Sequence, residues 1–288
     1  INNIAAATEG TVTASIDGNA AELDNLTANG TKATCALTIV VDDAVTVAQG
    51  KIIVDATSIT TVDFSAAGVS DTLANCIDTN AIHASLTAVK NKDTDINITL
   101  TAINTITAAQ VGHLNLITDV TTGTVTISID GNSDKLAALS TNASQNGTAA
   151  LTIVVNNVAT AVQGKAIVDA TSIATVDFSA AGLTGALTTY IADGANTIHG
   201  NLTGVKTKDA NVNIIITPAI ENITADQVTQ LNNIAAATSG TVTATLDGNV
   251  AELDDLTASG TSATCAYTIV VDDVATVTQG KAIVDATS

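Results

Sequence analysis

Aspartate is the residue type with which this chain is best equipped to do chemistry. Asp17, Asp130 and Asp247 each open the tripeptide Asp-Gly-Asn. Asp42 and Asp43 follow Thr-Ile-Val-Val, as do Asp272 and Asp273, whereas the middle copy of this stretch carries Asn156 and Asn157. Calcium takes six to eight oxygens from carboxylates and carbonyls, so Asp- and Asn-rich turns brought side by side would suit it. Asp17, Asp130, Asp247, Asp42, Asp43, Asp272 and Asp273 form the candidate Ca²⁺ set on this reading. The competing reading is that Asp-Gly-Asn is a turn followed by a helix cap. The glycine- and aspartate-rich nonapeptide of Ca²⁺-binding β-rolls is absent.

Other chemistry is sparsely supported. His83 in AIHASL and His199 in TIHGNL occupy equivalent places, and neither has a second His or Cys at metal-ligand spacing. They read as packing or hydrogen-bonding residues. Cys35 and Cys265 share one repeat position, which Ala149 fills in the middle copy, so they read as small apolar side chains rather than a disulfide framework. The sequence holds no phosphate-binding loop, dinucleotide fingerprint or Ser-His-Asp set. Two Tyr and two Phe in 288 residues do not make the aromatic platforms of a polysaccharide-degrading enzyme. The expectation is a protein that is not an enzyme.

The charge balance narrows the partners. The formal net charge is −19, from 28 acidic against 9 basic residues. Such a chain cannot neutralise a row of phosphates, which excludes nucleic acid, and it is repelled by an anionic membrane surface. No run of 18 or more apolar residues marks a membrane-spanning helix. Yet 46% of residues are hydrophobic, mostly Ala, Val, Ile and Leu, which opposes disorder. Small aliphatic side chains with 1% aromatics suit many thin layers rather than one thick core.

Repetition supplies those layers. Residues 1–58 align without a gap on 231–288, with roughly three-quarters of positions identical. TVTASIDGN at Thr11 returns as TVTISIDGN at Thr124 and TVTATLDGN at Thr241, a period of 113 to 117 residues. The approximate copies are 1–113, 114–230 and the partial 231–288. Thr-x-x-Gln recurs from Thr46, Thr107, Thr160, Thr224 and Thr276. This spacing divides each long repeat in two, and two strand-like and two helix-like stretches per half give a basic unit near 29 residues.

Strands and helices then follow from periodicity. Val125, Ile127 and Ile129 alternate with Thr124, Thr126 and Ser128; Leu151, Ile153 and Val155 share a face; Val176 and Phe178 flank an outward Asp177; Ile96, Ile98 and Leu100 flank outward Asn97 and Thr99. Val228, Leu231, Ile234 and Ala235 fall at helical spacing. Thr followed three residues later by Gln is a capping box, which places a helix start at each of the five sites. Asn19-x-x-Glu22 and Asn249-x-x-Glu252 read as further boxes, incomplete at Asn132-x-x-Lys135. Gly50, Gly164 and Gly280 after the Gln weaken those helices or end them early. The least regular stretch, 68–95, has room for two helical pieces or an extra turn.

The stretch TITAAQVGHLNLITDVTTGTVTISI resembles repeats in giant secreted surface proteins of bacteria, notably marine cyanobacteria, in composition and rhythm along the whole chain. The resemblance implies an extracellular structural or adhesive protein and brings no ligand or catalytic residues. The expected fold is α/β: one continuous elongated repeat solenoid over 1–288, with parallel strands on one face and short capped helices on the other. An all-β parallel solenoid is the alternative. The expected role is a segment of an extracellular filament, sheath or surface layer. The alternative role is a Ca²⁺-dependent cell-surface adhesin binding glycan through the 68–95 and 184–211 stretches. Ile1 matches Leu231 and Ser58 matches Ser288, so copies are expected to stack head-to-tail in register.

Overall fold

The structure is a computed structural model that describes residues 1–26, 34–55, 61–64, 67–139, 148–170, 175–178, 181–192, 196–257 and 263–287. Its backbone forms two compact units, one of residues 1–129 and 139–151, the other of residues 130–138 and 152–288. Both are mixed α/β, with 13 helices and 15 strands among the described residues.

In the first unit, strands Thr11–Gly18, Thr34–Val41 and Thr61–Asp63 pair in chain order and in parallel, Thr11 against Thr34 and Thr38 against Thr61. Val69–Asp71 and Ile98–Leu100 pair likewise, and Ile98 lies against Val125 of Thr124–Gly131. Single bridges from Val45 to Val69 and from Ile103 to Ile129 extend the rows. The second unit repeats the scheme. Ala159–Thr160, Leu183–Gly185, Ile214–Ile216, Thr241–Gly248 and Thr264–Val271 form one parallel sheet in sequence order, and Thr175–Asp177 lies on Thr152–Val154. Paired residues in these ladders stand 23 to 31 residues apart, which brackets the expected 29-residue unit. Antiparallel pairing is confined, among the described residues, to the two-residue ladder Ile77–Asp78 on Ala81–Ile82 and the bridge from Ile191 to Ile198.

Alternation decides which strand face is buried. Val125, Ile127 and Ile129 are buried, as are Leu151, Ile153 and Val155, Val176 and Phe178, and Ile96, Ile98 and Leu100. Thr126, Thr99 and Asp177 face solvent. Both phenylalanines are fully buried, at strand ends where a wider side chain fills the corner.

Helices alternate with the strands along the chain, which removes the all-β alternative. All five Thr-x-x-Gln sites are capping boxes. Thr107, Thr160, Thr224 and Thr276 each accept from the Gln backbone N–H and donate their own N–H to its side chain. Thr46 and Gln49 make the same pair at 3.2 and 3.0 Å. Val228, Leu231, Ile234 and Ala235 form the buried stripe of helix Ala225–Ala237. The 68–95 stretch holds two helices, Leu73–Cys76 and Ala84–Lys90.

Gly50 and Gly164 neither end nor stop their helices, which run on over Val47–Asp55 and Ala161–Asp169. They are there for packing. A Cβ on Gly50 would come within 2.9 Å of Val89 Cγ2 on helix Ala84–Lys90, and one on Gly164 within 3.0 Å of Val205 Cγ2 on helix Gly200–Lys206. Gly280, at the same place in helix Val277–Asp285, faces open space. Gly50→Ala is therefore expected to destabilise by about 1 kcal/mol, overpacking outweighing helix propensity. Gly280→Ala is expected to stabilise by up to about 1 kcal/mol. Urea melts of the two variants check the opposite signs.

Candidate functional site

The aspartate-rich turns come together in pairs. Asp42 N–H donates to Gly18 O, Asn156 N–H to Gly131 O and Asp272 N–H to Gly248 O, each about 3 Å. This sets the carboxyl of Asp42 beside Asp17 and that of Asp272 beside Asp247. Each pair shares a side-chain hydrogen bond, which holds the pKa of Asp42 and of Asp272 above the ordinary carboxylate value, with burial and repulsion adding to it. At the corresponding place of the middle copy the sequence has Asn156, not a second aspartate. Oδ1 of Asp247 and Oε2 of Glu252 are buried without a hydrogen-bond partner. Among the described residues, no three His, Cys, Asp or Glu side chains converge as a metal-holding group.

Asp43 and Asp273 do something else. Each reaches back to the one-turn helix of the preceding strand–helix segment and accepts from its first backbone N–H. Asp43 Oδ1 takes Ala20 N–H at 2.6 Å, and Asp273 Oδ1 takes Val250 N–H at 2.8 Å. Asn157 Oδ1 takes Ser133 N–H at 2.6 Å in the same way. Asp71 Oδ2 serves Val47 N–H at 3.0 Å, and Gly185 stands at its counterpart. The first amides of a helix have no partner within it, so an acceptor 23 or 24 residues away satisfies the first of them. The local caps are less complete than their sequence suggests. Asn19 Oδ1 accepts from Glu22 N–H at 3.0 Å, but Asn249, like Asn132, makes no side-chain cap bond. The distant cap serves a different amide, the first rather than the third, and is present with or without the local bond.

A second set joins segments at the opposite ends of the strands. Asp93 and Asp209 are buried, and their Oδ2 atoms accept from Phe64 N–H and Phe178 N–H, both at 2.7 Å. Thr121 and Thr238 hydroxyls donate to Ile96 O and Val212 O, at 2.6 and 2.7 Å. Asn97 and Asn213 Oδ1 accept from Thr124 and Thr241 N–H. Gly123 and Gly240 admit the neighbouring backbone so closely that a Cβ would stand 2.2 and 2.3 Å from Asp95 O and Asn211 O. Sequence reasoning missed Asp93 and Asp209. The signal was available, since KDTDIN and KDANVN keep these Asp and Asn residues while their neighbours change.

The histidines make hydrogen bonds as expected, as helix caps. His83 Nδ1 accepts from Ser85 N–H at 3.1 Å and His199 Nδ1 from Asn201 N–H at 3.0 Å. Cys76 and Cys265 are buried and unbridged, and the side chain of Cys35 lies outside the described residues. No described helix is long and apolar enough to cross a membrane.

No protein-family model, curated protein or solved structure matches the chain.

Two outcomes follow from this geometry. Asp43→Asn is expected to leave stability within about 0.5 kcal/mol, because Asn157 already performs the same bond, whereas Asp43→Ala is expected to cost about 1 kcal/mol. A chemical melt of both variants separates cap from charge. The second concerns pH. Burial, then the neighbouring Asp95, raises the Asp93 carboxyl to about 6, and burial raises Asp209. A carboxyl raised in the fold binds protons more tightly there than in the unfolded chain, so its charged form destabilises the fold above the folded pKa. Melting temperature is expected to rise as pH falls from 7 through 6 towards 4. In Asp93→Asn/Asp209→Asn the rise is expected to shrink to what Asp42 and Asp272 contribute.

Proposed function

We propose that the chain is a segment of an extracellular structural array, a filament, sheath or surface layer, in which strand–helix segments stack as one elongated solenoid. The observation that carries this reading is the division of labour among its polar side chains. The Asp and Asn side chains at the joints between segments spend their hydrogen bonds on the backbone of an adjacent segment. A binding protein or enzyme keeps convergent polar groups free for a ligand. Here Asp43, Asp71, Asp93, Asp209, Asp273, Asn97, Asn157 and Asn213 are engaged with backbone N–H groups. The strong acidity then keeps such an array soluble and limits sideways association. The resemblance to giant secreted surface repeats supports the extracellular placement.

Calcium-dependent adhesion is a second reading, favoured by one observation: the buried, unpartnered Oδ1 of Asp247 within the Asp247–Asp272 pair. A cation there would relieve the repulsion. It predicts a Ca²⁺-dependent rise in melting temperature that Asp272→Asn abolishes.

Electron microscopy with a power spectrum tests the main reading. Parallel strands stack about 4.8 Å apart, so four segments per long repeat give an axial spacing of roughly 19 Å. Rods with both spacings are the expected outcome. Compact particles without them would overturn the array and leave the adhesin reading.

A further inference from the structure

One apolar face in the second unit stands uncovered. It is formed by strand Thr264–Val271 and helix Val277–Asp285. Val271, Val277 and Val284 are 38%, 92% and 67% exposed, although their first-copy counterparts Val41, Val47 and Val54 are 0%, 2% and 5% exposed. A groove of about 420 Å³ runs across it, lined by Tyr267, Ile269, Val271, Ala275, Ile283 and Val284. The face is shaped as well as apolar, since Gly280 leaves a notch at its centre.

The two other copies show what covers such a face. In the first, Thr61–Asp63 pairs on Thr38–Val40, Gly68 O accepts from Val45 N–H at 3.0 Å, Asp71 caps Val47, and Val89 of helix Ala84–Lys90 fills the notch at Gly50. In the second, Thr175–Asp177 pairs on Thr152–Val154, Gly182 O accepts from Ala159 N–H at 3.1 Å, and Val205 of helix Gly200–Lys206 meets Gly164. Both occupants begin Thr-Val-Asp-Phe-Ser-Ala-Ala-Gly, and in both this glycine has φ +71°, which an L side chain rarely adopts. The uncovered face offers the same receptors: the Thr268–Val270 edge, the N–H groups of Ala275 and Val277, and the notch at Gly280.

We infer that this face is a docking surface for a strand–helix segment of the Thr61–Lys90 kind, carrying the Thr-Val-Asp-Phe-Ser-Ala-Ala-Gly strand, an Asp to cap Val277 and a helical Val to enter the Gly280 notch. The inference deepens the stacked-array reading and rests on it. The occupant is a member of the same repeat array, not the leading end of a second copy. Residues 1–26 are of the kind that, in the third copy, packs on 214–223. There Leu246 bridges to Ile220, and a Cβ on Gly248 would meet Ile223 Cγ2 at 2.6 Å. That end is shaped for isoleucines, so an end-to-end contact of two copies would join two faces that are not partners within either unit. Parallel edge pairing supplies the affinity of such docking, and the notch supplies its selectivity.

The test extends the whole 288-residue chain at its C-terminus, once with the sequence of residues 59–95 and once with that of residues 1–26. Amide exchange of helix Val277–Asp285 is then read by mass spectrometry. The 59–95 extension is expected to slow exchange at least tenfold and to raise the melting temperature. Gly280→Leu is expected to abolish the further slowing that the extension confers, read against the unextended Gly280→Leu chain, whose helix the substitution itself steadies. Equal protection by the 1–26 extension would overturn the inference, as would protection of the unextended chain that grows with its concentration, or no protection by either extension. Rods in micrographs combined with a failed exchange result would keep the array and remove only this pairing rule.

Discussion

The structure depends on the need of every buried backbone N–H for an acceptor. A segment of 23 to 31 residues made of a short strand and a helix of one to three turns leaves many such groups unpaired at its ends. Parallel strands satisfy the middle of each segment, and capping boxes satisfy the longer helix starts. What remains is met from the adjacent segment. Asp43, Asn157 and Asp273 serve one-turn helices, Asp93 and Asp209 serve the corner at Phe64 and Phe178, and Asn97 and Asn213 serve the strand starts at Thr124 and Thr241. A single segment would lose these bonds together with its apolar cover. Stability in this design belongs to neighbouring pairs, which is the energetics of repeat proteins.

This constraint also accounts for the composition. Small aliphatic residues fill most of the interior, and the largest fully buried side chains, Phe64, Phe178 and Tyr190, stand at the ends of short strands and of a one-turn helix. Asp and Asn have short side chains ending in strong acceptors, which suits a bond to a nearby backbone. The negative charge is in part a by-product of this use. Where the geometry is kept and the charge is not, as with Asn157 for Asp43, the bond persists at the same 2.6 Å. Three Lys–Asp pairs four residues apart, at Lys51, Lys165 and Lys281, engage cations on the helices themselves. Exposed pairs of this kind contribute little to stability.

Local order was legible in the sequence because its signals are local. Alternation placed Val125, Ile127 and Ile129 inward, and the three-residue step from Thr to Gln located five helix starts. The glycines were harder. Gly50 and Gly164 looked like helix breakers, and only the approach of Val89 and Val205 shows that they are notches. Asp43 looked like a calcium ligand because nothing in its neighbourhood reveals an amide 23 residues earlier. Register between segments sets such partners, and the sequence encodes it only through the sameness of copies. Asp93 and Asp209 carried that mark, set inside two similar hexapeptides.

The alternation of segment kinds has a consequence for how such a chain can change length. Each face fits one successor: the notch at Gly50 takes Val89, and the bare Gly248 takes Ile223. Removing or adding one segment would set the wrong kinds side by side and strand a cap, a knob or a buried carboxyl. Removing or adding a block of four, the 113 to 117 residues of the long repeat, restores every junction. Recombination between copies would therefore be silent in steps of that block and damaging in any smaller one. Such a gene can grow or shrink by whole periods while its product keeps the same kinds of junction.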